Sequence, residues 1–117
     1  KDKEFDFAPC GVVGLETAFP ITLQVLHREG GFSLIDTISR LTSIPAAIMN
    51  LDAGAIGEGS RADIAVIDPE KEWTVNPESL HSKSANSPWL GEKLKGLVRK
   101  TLVEGKVVYS DGQITAE

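Results

Sequence analysis

The hydrophobic rhythm of the chain changes near residue 51. Before that point apolar residues recur at helical spacing. After it they sit in short runs bounded by turn residues. Phe19, Leu23 and Leu26 fall at i, i+4 and i+7 with Val25 alongside, which predicts a helix over roughly 18–29. Pro20 fits its first turn, where a missing N–H is no loss, and Gly30-Gly31 stops it. Ser33 reads as the next N-cap, with Asp36 three residues on as a short-acid capping box. Leu34, Ile35, Ile38 and Leu41 are the predicted buried stripe of a helix ending near Thr42. Pro45 opens a short helix, 45–50, that carries Ile48 and Met49 inward. Helices of this kind bury one side against a partner layer, and the first fifty residues contain no strand to supply it.

The second half reads as β. Residues 62–68 are rich in β-branched side chains, and Pro69 is expected to end the strand. Ile64 and Val66 share one face, Ala65 and Ile67 the other, so both faces are apolar and cover is expected on two sides. Ile64, Val66 and Val107 are the expected core. Trp73-Thr74-Val75 is a candidate to pair next. Residues 76–95 form a polar segment longer than an ordinary loop, which suggests function or an interface. Leu97–Val103 and Lys106–Tyr109 flank Glu104-Gly105, a two-residue hairpin turn, and Asp111-Gly112 marks a second. The pattern as a whole is α+β.

Composition narrows the function classes. Of 117 residues, 41% are hydrophobic and 25% charged, close to globular averages, which argues against wholesale disorder. A net charge of −5 argues against a nucleic-acid partner, which needs a basic face. The longest uncharged runs contain proline and fall short of a membrane span. The start, Lys1-Asp2-Lys3-Glu4, lacks both an initiator Met and a signal-peptide pattern. One cysteine, Cys10, forbids an internal disulfide and is compatible with a reducing cytoplasm.

Few residues invite chemistry. There is no H-x-H, H-E-x-x-H or C-x-x-C. His27 sits at a helix end, where an imidazole can meet terminal carbonyls. His81 lies in the long polar segment, where a structural or solvent role competes with that of a ligand or base. Cys10 would need a neighbouring base or cation to act as a nucleophile, so a small wall residue is the simpler reading. Gly11 and Gly14 are turn glycines rather than a phosphate loop. The loop 7–16 is apolar and uncharged until Glu16, which places it over a core or along a pocket.

Four stretches, in order, resemble dihydroorotases of the bacterial class I type, a cyclic amidohydrolase family. Residues 7–18 resemble that family's A-P-x-G-x-x-G-x-E-T loop through Ala8, Pro9, Gly11, Gly14, Glu16 and Thr17. Residues 57–68 resemble its G-x-x-A-D strand motif, with Ala62, Asp63 and Asp68. Residues 82–91, Ser-Lys-Ser-Ala-Asn-Ser-Pro-Trp-Leu-Gly, resemble its S-K-S-x-N-T-P-F-x-G segment. Gly96, Val98, Thr101, Gly105, Val108 and Tyr109 match its closing pattern. The strand and closing motifs are shared with allantoinases and dihydropyrimidinases, whereas the first and third stretches are more specific. Cys10 stands where the family usually has Phe, and Ile44 where an Asn cap is usual.

The resemblance implies a metal-bearing (β/α)₈ barrel with a small β-sandwich built from both chain ends. On that reading residues 1–50 are the last barrel loop and outer helices, and 51–117 the C-terminal part of the composite sandwich. The implied activity is reversible cyclisation of N-carbamoyl-L-aspartate to dihydroorotate in pyrimidine biosynthesis. Zinc and its ligands, with the catalytic Asp, are implied to lie upstream, so the segment alone is expected to be inactive and to bind no metal. Pro9, Cys10 and Gly11 are the implied substrate-binding residues, chiefly through their backbone. The implied partners are that small substrate and the N-terminal barrel portion; a homodimer and aspartate transcarbamoylase are also compatible. Allantoinase, another cyclic amidohydrolase, and a non-catalytic dihydroorotase-like scaffold are the alternatives.

Overall fold

The structure is a computed structural model and describes residues 11–115. Three helices precede a four-stranded antiparallel meander of order β1-β2-β3-β4. The helices are α1 (Leu15–Thr22), α2 (Leu34–Ser39) and α3 (Ser43–Ile48). The strands are β1 (Ile64–Thr74), β2 (Lys93–Val103), β3 (Lys106–Ser110) and β4 (Gln113–Ile114).

Helix α1 starts three residues earlier than its periodicity predicts and continues from Leu23 to Glu29 as a π-helix. Pro20 is therefore in the helix interior, not its first turn. Proline has no N–H to bond the carbonyl four residues back, and its ring crowds that carbonyl. The wider turn follows just downstream, the kind of irregularity that relieves an interrupted ladder. The end also shows the wider turn: Phe32 donates its N–H to the Leu26 carbonyl at 3.0 Å, six residues back, one more than an α-helical Schellman cap reaches. Gly31 takes the left-handed conformation that this reversal requires, with φ +70°. His27 Nδ1 lies 2.7 Å from the Phe32 carbonyl; a carbonyl only accepts, so Nδ1 carries the proton.

Ser33 caps α2 as expected. Its hydroxyl accepts the Asp36 N–H at 3.1 Å and donates to the Asp36 carboxylate at 2.6 Å. The burial inside these helices differs from the expected stripe. Leu23, Thr37 and Ala46 are buried, whereas Ile35 is 77% exposed and Leu41 is also exposed. Ile48 and Met49, expected to point inward, are exposed as well. Nothing among the described residues forms a layer over that side, so hydrophobicity alone buries nothing there.

Strand β1 runs through Pro69 instead of ending at it. The register steps from Asp68↔Leu97 to Glu72↔Lys95, so residues 69–71 bulge out of the ladder. Asp68 Oδ1 accepts the N–H groups of Glu70 (3.1 Å) and Lys71 (3.0 Å), replacing their ladder partners. β1 is an edge strand, where a proline forfeits no hydrogen bond. Nor is β1 covered on two sides. Val66 and Val107, expected in the core, are 46% and 44% exposed, and Ile64 is only half-buried. No second sheet faces them among the described residues.

The core lies at the other end of the sheet. Val75, Leu80 and Leu94 are buried, with Ile21, Trp73 and Trp89 packed against them. The helix reaches β2 at Gly96. A Cβ there would stand 2.7 Å from Leu23 Cδ1 and 3.4 Å from Pro20 Cα, and its φ is +115°. Only glycine allows so close an approach. The hairpin at Glu104-Gly105 (φ +50° and +79°) and the turn at Asp111-Gly112 form where expected.

Candidate functional site

Two of the stretches singled out in the sequence meet in space. The loop 11–14 leads into α1, and the segment 81–89 leaves a 3₁₀ turn at Pro77–Ser79. Asn76 and Ser79 cap that turn reciprocally: Asn76 Oδ1 accepts the Ser79 N–H at 2.9 Å, and Ser79 Oγ accepts the Asn76 N–H at 3.1 Å. Asn86, half-buried, donates its side-chain Nδ2–H to the Gly11 carbonyl at 2.7 Å. Its own carbonyl accepts the Val13 N–H at 2.9 Å. A third contact lies at the helix start, where Glu16 Oε1 accepts the His81 N–H at 2.9 Å. The other carboxylate oxygen of Glu16 is buried without a partner among the described residues.

The supports of Asn86 run back to the core. Its N–H bonds Ser84 Oγ at 3.2 Å, and the neighbouring Ser87 is buried with its hydroxyl accepting the Trp89 N–H at 3.3 Å. Trp89 packs on the Val75–Leu80–Leu94 cluster. Of the three residues expected to bind substrate, Gly11 is exposed and left-handed (φ +74°), while Pro9 and Cys10 lie outside the described residues.

The two acids of the strand motif serve the fold. Asp63 Oδ1 accepts the Glu104 N–H at 2.8 Å, and the Ala62 carbonyl accepts the Gly105 N–H at 3.0 Å, so this dipeptide clamps the β2–β3 turn. The Glu104 N–H, then the Arg61 guanidinium, holds the Asp63 carboxyl below the usual carboxylate range. Asp68 bridges the bulge as above. Asp111, hydrogen-bonded by Arg99, is likewise lowered. His81 stacks edge-on against Tyr109, with centroids 6.0 Å apart.

A groove of about 910 Å³ opens between α1 and the sheet, lined by Phe19, Pro20, Trp73, Val98 and Tyr109 among others. It does not include Gly11, Val13 or Asn86. It is an uncovered apolar sheet face, separate from the loop 11–14. Among the described residues no three His, Cys, Asp or Glu side chains converge on a point where a metal ion fits.

The sequence pattern of the amidohydrolase family matches residues 8–109. The chain belongs to the amidohydrolase family. It is 46% identical over 111 residues to a dihydroorotase of Clostridium acetobutylicum, covering 95% of this chain and 26% of that protein. It is 46% identical over 112 residues to a dihydroorotase of Geobacter sp. (strain M21), covering 96% and 26%. The chain thus spans about a quarter of the length of these curated relatives. Among solved structures it resembles a D-hydantoinase (TM-score 0.81, 32% identity, 93% of this chain and 24% of that one). It resembles the L-hydantoinase (dihydropyrimidinase) of Arthrobacter aurescens equally closely in fold (TM-score 0.81, 28% identity, 92% and 24%). The α+β segment is therefore part of an amidohydrolase of TIM-barrel fold.

Local signals in the sequence did not reveal Asn86. It is one polar residue in a polar segment, and its partners lie 75 and 73 positions earlier in the chain.

Proposed function

We propose that this chain is the C-terminal segment of a zinc-dependent dihydroorotase that interconverts N-carbamoyl-L-aspartate and dihydroorotate in the cytoplasm. Residues 1–50 would supply the last barrel loop and outer helices, and 51–117 part of the small sandwich. The observation that carries the reading is the 46% identity to dihydroorotases across 95% of the chain, against 28–32% to the hydantoinase structures named above. The ring closes when the ureido nitrogen forms an amide bond with the side-chain carboxyl, and one water leaves. The described residues do not fit a metal centre, so zinc would be held elsewhere in the enzyme.

The role left to this segment is to present backbone groups to the polar edge of the ring. Within the Pro9-Cys10-Gly11 loop, backbone N–H or C=O groups of Cys10 and Gly11 would make that contact. A glycine at 11 accepts φ +74° without strain and lets a ring come close. The complete protein should turn over dihydroorotate in preference to hydantoin, dihydrouracil and allantoin. A preference for hydantoin or dihydrouracil would favour the second reading, which the fold neighbours support. Cys10→Phe should be mild, because the contact is main-chain. Gly11→Val should lower kcat/KM by the equivalent of about 1–3 kcal/mol, from a lost polar contact and a clash. Unchanged kcat/KM and stability in Gly11→Val would rule out the pocket role.

A further inference from the structure

We infer that Asn86 is the positioning residue that fixes the substrate loop, gripping it on both sides of Val12. The inference rests on the reading that Gly11 lies against substrate. Two bonds from one residue, Nδ2–H to the Gly11 carbonyl (2.7 Å) and carbonyl to the Val13 N–H (2.9 Å), define the path of the backbone between them. Gly11 has no Cβ to restrict its torsions, so its own backbone preference does not hold it at φ +74°. The segment carrying Asn86 is anchored through the adjacent buried Ser87 to Trp89 on the core, while Ser84 Oγ accepts the Asn86 N–H. The grip thus refers the loop to a rigid part of the molecule. With its carbonyl engaged by Asn86, Gly11 is oriented before substrate arrives, so less ordering is needed on binding.

The residue type matters. Asn offers a side-chain donor at a length that reaches a neighbouring carbonyl. Ala removes the donor, and Asp keeps the shape but sets a carboxylate oxygen against the Gly11 carbonyl. The full-length enzyme should be compared as wild type, Asn86→Ala and Asn86→Asp, using whichever cyclic amide the wild type turns over. Expected is a rise in KM of about tenfold for Ala and more for Asp, with kcat within about twofold. The Val13 amide should exchange its hydrogen about tenfold faster in Asn86→Ala. A merely structural role would lower the melting temperature without this KM-against-kcat split. Asn86→Asp, near-isosteric, serves where Ala fails to fold. Unchanged KM in a folded variant, or unchanged exchange at Val13, overturns the positioning role. Wild-type enzyme that leaves dihydroorotate untouched while hydrolysing another ring amide overturns the proposed substrate, and the same split with that amide then decides the role of Asn86.

Discussion

Helix α1 and its π continuation differ from α2 and α3 in what they do with similar apolar residues. Leu23 is completely buried against Gly96 of β2. Ile35 and Ile48 carry comparable side chains on helices of the same molecule, and each is 77% exposed. The difference is the surface opposite. A glycine in β2 lets one helix seat itself on the sheet, whereas no described element covers the Ile35 and Ile48 sides of the other two. Burial is a property of pairs of surfaces, and a periodic stripe declares only one member of the pair.

The closed side can be broken at its tightest point. Gly96→Val combines a strained φ of +115° with a Cβ placed 2.7 Å from Leu23 Cδ1. The expected loss in the full-length protein is roughly 3–5 kcal/mol, the sum of backbone strain and overpacking. Leu23→Ala, which empties the same contact, should cost about 3 kcal/mol. Denaturant titration of both variants checks the pair. A loss under about 1 kcal/mol in each would mean the helix is not seated on β2.

The open side makes the opposite test. Ile35, Ile48 and Met49 on the helices and Val66 and Val107 on the sheet are all exposed among the described residues. The chain spans about a quarter of its relatives, so the remainder is expected to cover these faces. Ile48→Ala should then cost about 2 kcal/mol in the full-length protein, against less than about 0.5 kcal/mol for a solvated position. The smaller value would show that the α3 face stays open.

The same contrast marks what could be read from the sequence. Turns and caps are local chemistry, so Glu104-Gly105, Asp111-Gly112 and the Ser33 cap stand where their residues predict. The two prolines depart from the pattern for one reason. Pro20 and Pro69 read as element boundaries, yet a π-type adjustment absorbs the first and a bulge on an edge strand the second. Those accommodations depend on neighbours that a one-dimensional pattern does not contain. The motif residues Asp63 and Asp68 were visible, but their duties as turn and bulge clamps appear only once strands pair. Asn86 and Gly11 stand in two separate family-like stretches, and nothing local connects them. A contact across 75 residues is set by how the helix and the sheet close on each other.

The smallest expected effect is at the hairpin that both sides share. Asp63 accepts the Glu104 N–H and pairs with Arg61, and these bonds lower its carboxyl below the ordinary value near 3.9. A lowered folded-state pKa means the unfolded chain binds the proton first as pH falls. The contribution is therefore fully present above about pH 5 and is lost as pH drops through the folded-state value. Asp63→Asn keeps an oxygen for the Glu104 N–H but removes the charge facing Arg61. The variant should melt slightly below wild type at neutral pH and converge on it in acid, because protonated Asp63 has already lost the same attraction. Melting temperatures from about pH 6 down through the lowered folded-state value check this. A gap that stays constant across that range would show that the carboxylate's charge adds nothing and that the turn is held by its hydrogen bonds alone.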